Sequence, residues 1–196
     1  IFDEQRGIGH QDYATALNNL AMLWLAMGQS DRAESLVREA LAIDLDAYDV
    51  GHPRMVEDVV NLMTMAVMAG RYDEVVAYRE QFDAVFRRLG PRHPARARLM
   101  GLISKVELRA GAYMDAEIHA VMAQEIWRTT TGPTDPRNAD ALVDMGWVAL
   151  ARGRFQDAEN VTRRALAIYR RTDTESEYVA QALRILVGVH AATGHP

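Results

Sequence analysis

The chain has no cysteine, and Lys105 is the single lysine among its 22 basic residues. The first absence removes disulfides, thiolate nucleophiles and cysteine-ligated metals. The second leaves arginine to carry nearly all of the positive charge, a bias that fits a GC-rich, bacterial genome. Positive charge is itself in deficit: 27 acidic residues give a net charge of −5. Phosphate neutralisation needs a basic excess, so a nucleic-acid partner is not expected. No apolar run approaches the roughly 20 residues of a membrane span, and the start lacks the charged and apolar regions of a signal peptide. A cytoplasmic protein without a membrane partner is expected. Gly-rich phosphate loops, HExxH and nucleophile elbows are also missing, so neither an enzyme nor a cofactor is implied.

What is present is a beat. Glycines fall at Gly28, Gly70, Gly111, Gly153 and Gly194, in steps of 42, 41, 42 and 41 residues. Two residues after each of the first four stands Ser30, Tyr72, Tyr113 or Phe155. Five after stands Ala33, Val75, Ala116 or Ala158, and fifteen after stands Ile43, Val85, Ile126 or Ile168. Pro53, Pro94 and Pro136 each precede the next of these glycines by seventeen residues. Proline there suits the first turn of a helix, where its missing N–H costs nothing. Several features repeating in phase mark a repeat architecture.

Each repeat reads as a helix A, a turn at glycine, a helix B and a longer loop. The A helices are expected at about 12–27, 54–69, 95–110, 137–152 and 177–193, and the B helices at about 30–47, 72–89, 113–130 and 155–171. Leu17, Leu20, Ala21 and Trp24 form an apolar stripe on the first. A lone hairpin cannot bury such a stripe, whereas stacked copies can. The expected organisation is one array over 1–196, with repeats at about 10–51, 52–92, 93–134 and 135–175 and a partial repeat at 176–196. Residues 1–9 align with the tail of a preceding helix B. Both ends thus cut through repeats, and a segment of a longer array is expected.

This pattern resembles the tetratricopeptide repeat (TPR), through Trp24, Gly28, Ala33 and Ala40 in the first copy and Gly153, Phe155, Ala158 and Ala165 in the fourth. The long period, "ALNNLAMLWLAMG" and the "GHP" loop make it similar to the kinesin-light-chain-type variant. Glu107 and His190 depart from the pattern where Trp24 stands, and Phe82 and Arg79 depart from it where Ala40 and Val37 stand. The resemblance implies an all-α, right-handed solenoid of stacked hairpins, the TPR superhelix, whose A helices line a groove that binds protein or peptide. The groove positions it implies include Asn18, Asn19, Asn61 and Thr64, then Arg98, Lys105, Asp144, Trp147 and Arg184. Asn18, Asn19, Asn61, Arg98, Lys105 and Trp147 are expected to be partly exposed. Amides can pair with the peptide groups of a ligand whatever its sequence, and cations can meet carboxylates. An extended partner with an acidic stretch would match that order. The carboxylate clamp of chaperone-binding relatives is not reproduced as a pattern.

The remaining candidates read as structural. His10, His52 and His93 recur in phase, but hairpins about 10 Å apart cannot bring ligands within about 2 Å of one metal ion. They read as loop or helix-start residues. Met63, Met65 and Met68 read as core, and the "NVT" sequon at 160–162 falls inside a helix. The leading function is a protein-binding scaffold. The alternatives are a regulatory or sensor segment of a larger enzyme or signalling protein, and a self-assembly module.

Overall fold

A computed structural model describes residues 2–48, 52, 54–172, 174 and 177–194, with side chains from residue 12 onward. Its helices are α1 (Phe2–Ala26), α2 (Ser30–Ala47), α3 (Met55–Met68), α4 (Tyr72–Gln81), α5 (Asp83–Arg88), α6 (Pro94–Ala110), α7 (Tyr113–Thr130), α8 (Pro136–Ala151), α9 (Phe155–Thr172) and α10 (Glu177–Thr193). No strand occurs among the described residues. The chain divides into two compact units, Ile1–Gly90 and Pro91–Pro196, so the division falls close to the boundary between the second and third repeats.

The glycine beat is the turn chemistry. Gly28, Gly70, Gly111, Gly153 and Gly194 all have φ between 69° and 78°, the left-handed region that a side chain disfavours. After the first four, the next residue's N–H bonds back over the helix end: Gln29 to the Trp24 carbonyl at 2.9 Å, Arg71 to Ala66 at 2.8 Å, Ala112 to Glu107 at 2.9 Å and Arg154 to Ala149 at 2.9 Å. This is the Schellman closure, and it reverses the chain within two residues so that helix B packs on helix A. Helix B then starts at the residue two beyond the glycine in each of the first four copies. Pro94 and Pro136 open their helices as expected, capped by the His93 and Asp135 side chains, which accept from the N–H groups of Ala95 and Arg137. Pro53 lies outside the described residues.

Small residues let the helices approach closely. Ala33, Val75, Ala116 and Ala158 are all at most 1% exposed. Unit two has one continuous core from α8, α9 and α10, including Leu142, Val143, Ile168, Tyr169 and Ile185. In unit one, Ala14, Leu17 and Ala40 pack with Leu36 and Ile43. Met63 and Met65 are buried as expected, whereas Met68 is exposed. Thr162 of the sequon is fully buried inside α9.

Three differences from the sequence reading have physical causes. First, α1 runs unbroken from Phe2, where the end of a preceding helix B and a loop were expected. At the loop position the second, third and fourth copies carry proline, but this one carries Gln11, which can continue a helix. Second, the second helix B is broken into α4 and α5 at Phe82 (φ −108°, ψ 20°). Phe82 sits where the other copies have Ala40, Ala123 and Ala165, and it is fully buried. A ring in a slot sized for a methyl group displaces the backbone. Ten helices therefore stand among the described residues where nine were expected. Third, Leu20 is exposed, because the buried stripe on α1 runs through Ala14, Leu17 and Ala21.

The turn geometry sets an expectation. At Gly153 an added Cβ would meet nothing within 4 Å, so Gly153→Ala costs only the left-handed backbone penalty, about 1–2 kcal/mol. At Gly146 the same atom would lie 2.6 Å from Thr162 Oγ1. Urea unfolding should show the larger loss of stability for Gly146→Ala, with no change in helix content for Gly153→Ala.

Candidate functional site

The expected groove residues lie on the A helices, and the two units treat them differently. In unit one, Asn61 Nδ2 donates to Asn18 Oδ1 at 3.1 Å, and Asn18 Nδ2 in turn donates to Asp58 Oδ1. These bonds tie α1 to α3. The Thr64 hydroxyl donates to the Val60 carbonyl of its own helix at 2.7 Å. An Arg54 guanidinium N–H reaches Thr15 Oγ1 at 3.2 Å, with Asp44 3.8 Å from Arg54 Nε. Asn19 is exposed and makes no side-chain hydrogen bond among the described residues.

In unit two, Lys105 Nζ meets Asp144 Oδ2 at 2.5 Å and stands 5.5 Å from the centre of the Tyr178 ring. Helices α6, α8 and α10 are thereby joined through one ammonium group. Burial works against the Lys105 charge, but the Asp144 carboxylate and Tyr178 outweigh it and hold the ammonium above its ordinary range. Nearby, the Tyr169 hydroxyl donates to Asp140 Oδ1 at 2.5 Å. Burial pushes Asp140 up to about 6 despite that bond, with Asp144 adding to the rise. Trp147 is half-buried against the core, Arg98 is half-buried, and Arg184 is exposed.

The expected partial exposure fails at Asn61, and the groove residue Asp144 is buried as well. Asn61 and Asp144 are each only 7% exposed, because each is consumed by a neighbouring A helix. Sequence reasoning also missed Asp58, which is 2% exposed. Its place in the repeat is held by Ala16, Leu99, Ala141 and Ala182 in the other copies, and an acid in that apolar column was the available signal. Tyr178 and Tyr169 were missed because their roles depend on partners in other helices. Among the described residues, no group of three or more His, Asp or Glu side chains is placed to hold a metal ion. His93 caps α6, and His52 Nδ1 accepts from the Arg54 N–H at 3.3 Å while its ring stacks on Tyr48. The side chain of His10 lies outside the described residues.

The buried pairs set how stability responds to pH and to mutation. Burial raises Asp58 to about 7, against the Asn18 bond that lowers it, with the Asp44 charge adding to the rise. The native state therefore holds this proton where the unfolded chain, ionising near 4, has lost it. The contribution of Asp58 to stability is fully present below about pH 4 and is lost as the pH rises to about 7. Asp58→Asn keeps an acceptor for Asn18 and removes the buried charge. It should be more stable than the parent at pH 8, by roughly 1–3 kcal/mol, and nearly equal to it at pH 4, as measured by urea unfolding. Conversely, Lys105→Met leaves Asp144 buried without its cation. It should cost about 3–5 kcal/mol, most of it recovered when Asp144→Leu is added.

Comparison with known proteins places this geometry. Two tetratricopeptide repeat models match residues 14–54 and 106–171, between them more than half of the chain. No curated protein sequence matches. Among solved structures, a variant and a second crystal structure of a Podosopora anserina candidate kinesin light chain with nearly identical TPR-like repeats are similar to it. Their TM-scores are 0.70 and 0.68, each at 20% identity; they cover 94% and 92% of this chain and 88% and 86% of theirs. BtubC (BKLC) from P. vanneervenii is similar with a TM-score of 0.68 and 18% identity, over 97% of this chain and 84% of its own. Positive-φ glycine turns, small-residue B helices and neighbours of this fold agree with the two repeat matches: the chain is an all-α repeat solenoid that belongs to the tetratricopeptide repeat family, with the fold of kinesin-light-chain-type repeats.

Proposed function

We propose that the chain is a scaffold that holds a polypeptide partner on the faces of its A helices. TPR proteins are generally non-enzymatic repeat scaffolds that mediate protein–protein interaction, and no helix among the described residues is long and apolar enough to cross a membrane. The observation that carries the finer reading is in unit two. There the α6–α8–α10 face satisfies its buried charges internally and still presents Arg98, Trp147 and the exposed Arg184 at groove positions. A half-buried indole and an exposed guanidinium group, both at groove positions, suit a peptide that carries an apolar anchor and carboxylates. In unit one, Asn18 and Asn61 serve mainly to order the face, and Asn19 is the amide available to a ligand. With Lys105 neutralised by Asp144, the exposed Arg184 is the cation at a groove position that suits an acidic stretch.

The test is a pull-down with the full chain, mass spectrometry of what is retained, and titration of that partner's binding segment. Arg98→Glu with Arg184→Glu should weaken binding about tenfold or more, and Asn19→Ala by less, with the melting temperature within a few degrees of the parent. Full-strength binding by both variants would remove the A-helix faces as the binding site.

A further inference from the structure

The outer faces of the B helices are not needed for stacking, and they differ sharply from copy to copy. On α2 the positions three, seven, ten and eleven residues after the turn glycine hold Asp31, Ser35, Arg38 and Glu39, and on α4 they hold Asp73, Ala77, Glu80 and Gln81. On α7 the same positions hold Met114, Ile118, Val121 and Met122. These four are 60%, 54%, 41% and 37% exposed, so a continuous apolar ridge faces solvent over two turns. On α9 the same positions hold Gln156, Asn160, Arg163 and Arg164, with Arg170 and Arg171 two turns further on, and all four arginines are exposed. Arg163 pairs with Glu159 at 2.6 Å, while the other three make no ion pair with any described residue. Between the two helices lies a cleft of about 190 Å³ lined by Glu117 of α7, Asp157, Asn160 and Val161 of α9 and Met145 of α8, with Arg154 paired to Glu117; the ridge residues do not line it.

We propose that this outer face of α7 and α9 docks an amphipathic helix of a partner protein, one whose apolar stripe meets the α7 ridge and whose acidic edge meets the α9 arginines. The ridge spans Met114 to Met122, about 12 Å of helix, which matches two to three turns of a partner lying alongside. Methionines adapt to varied apolar surfaces. Charge decides the occupant: an apolar ridge alone would take any greasy helix, but arginines along one border select carboxylates and repel a basic one. The repeat does not impose this surface, since the same positions in the first two copies are polar or charged, Ala77 apart. Exposed apolar ridges of this kind mark interaction sites. The inference stands apart from the A-helix reading, because it uses different helices and different residues.

The experiment titrates the full chain by fluorescence anisotropy with two synthetic helical peptides. Both carry leucines at i, i+3 and i+7 spacing; one has glutamates along one edge and its twin has lysines. The glutamate peptide should bind about tenfold or more tightly than the lysine peptide, and its affinity should fall as salt rises from about 50 to about 500 mM. Met114→Ser with Ile118→Ser, both solvent-exposed changes, should abolish the binding. Arg164→Glu with Arg171→Glu should reverse the preference, so that the lysine peptide binds better. Arg98→Glu with Arg184→Glu should leave it untouched, which separates this surface from the A-helix faces. Equal binding of the two peptides, binding of neither, or insensitivity to the ridge variants would overturn the proposal. So would capture by phosphatidylserine vesicles in preference to the peptide, or a concentration-dependent dimer that Ile118→Ser dissolves; these outcomes would assign the face to a membrane or to a second copy.

Discussion

The left-handed turn at glycine is the constraint on which the rest of the molecule depends. Four successive helix ends close by the same pair of elements, a residue at φ near +70° and a following N–H bonded back over the last turn. That closure fixes where helix B starts, and so which of its residues point inward. Ala33, Ala116 and Ala158 are buried because they stand five residues after such a turn, on the side that faces helix A. A methyl group there lets two helices approach closely, and close approach is what makes a stack of hairpins dense enough to be stable. Local backbone chemistry at one residue type thus propagates into the core through register alone.

Stacking then has to deal with the polar groups that the A helices bring together. Unit one does so with neutral donors: Asn61 bonds Asn18, and Asn18 bonds the buried Asp58. Unit two does so with charge, placing Lys105 against Asp144 and under the Tyr178 ring. In a chain that otherwise uses arginine throughout, the one lysine occupies this spot. A compact ammonium on a flexible stem fits a site enclosed by three helices better than a planar guanidinium with five donors to satisfy. Such buried pairs add little net stability against an apolar alternative, yet breaking one is costly. They act as registers between adjacent A helices, and they remove most of their own residues from the pool available to a ligand.

The parts of the fold legible in the sequence were those fixed by local rules. The glycine beat gave every turn, the residue two beyond gave the start of each B helix, and the spaced prolines gave the starts of α6 and α8. The missed parts depend on non-local contacts or on one oversized side chain. Phe82 was visible as a departure from the alanine column, but only its surroundings decide that the backbone yields by splitting the helix. At the candidate site, position along the repeat correctly put Asn18, Asn61, Lys105 and Asp144 on the A helices. It could not say that they would meet one another across adjacent helices, because a pattern read one repeat at a time contains no pairings between repeats. Asp58 was visible as an acid in a column of alanines and leucine, and reading down the columns would have marked it.

That column logic separates two kinds of surface. Inward columns are nearly uniform, since each repeat must fit the next. The A-helix columns vary, but their variation is partly absorbed by bonds between neighbours, as the buried Asn61 and Asp144 show. The outer columns of the B helices are held by few contacts between copies, such as Arg38 with Glu74, and they change from polar and charged on α2 to apolar on α7 and arginine-rich on α9. Exposed apolar side chains lower solubility and promote non-specific association, and arginines at close spacing repel one another. A surface that carries both costs without any role in the packing requires a reason outside the fold. A ligand that covers the ridge and neutralises the arginines supplies that reason, because it removes both penalties in a single contact.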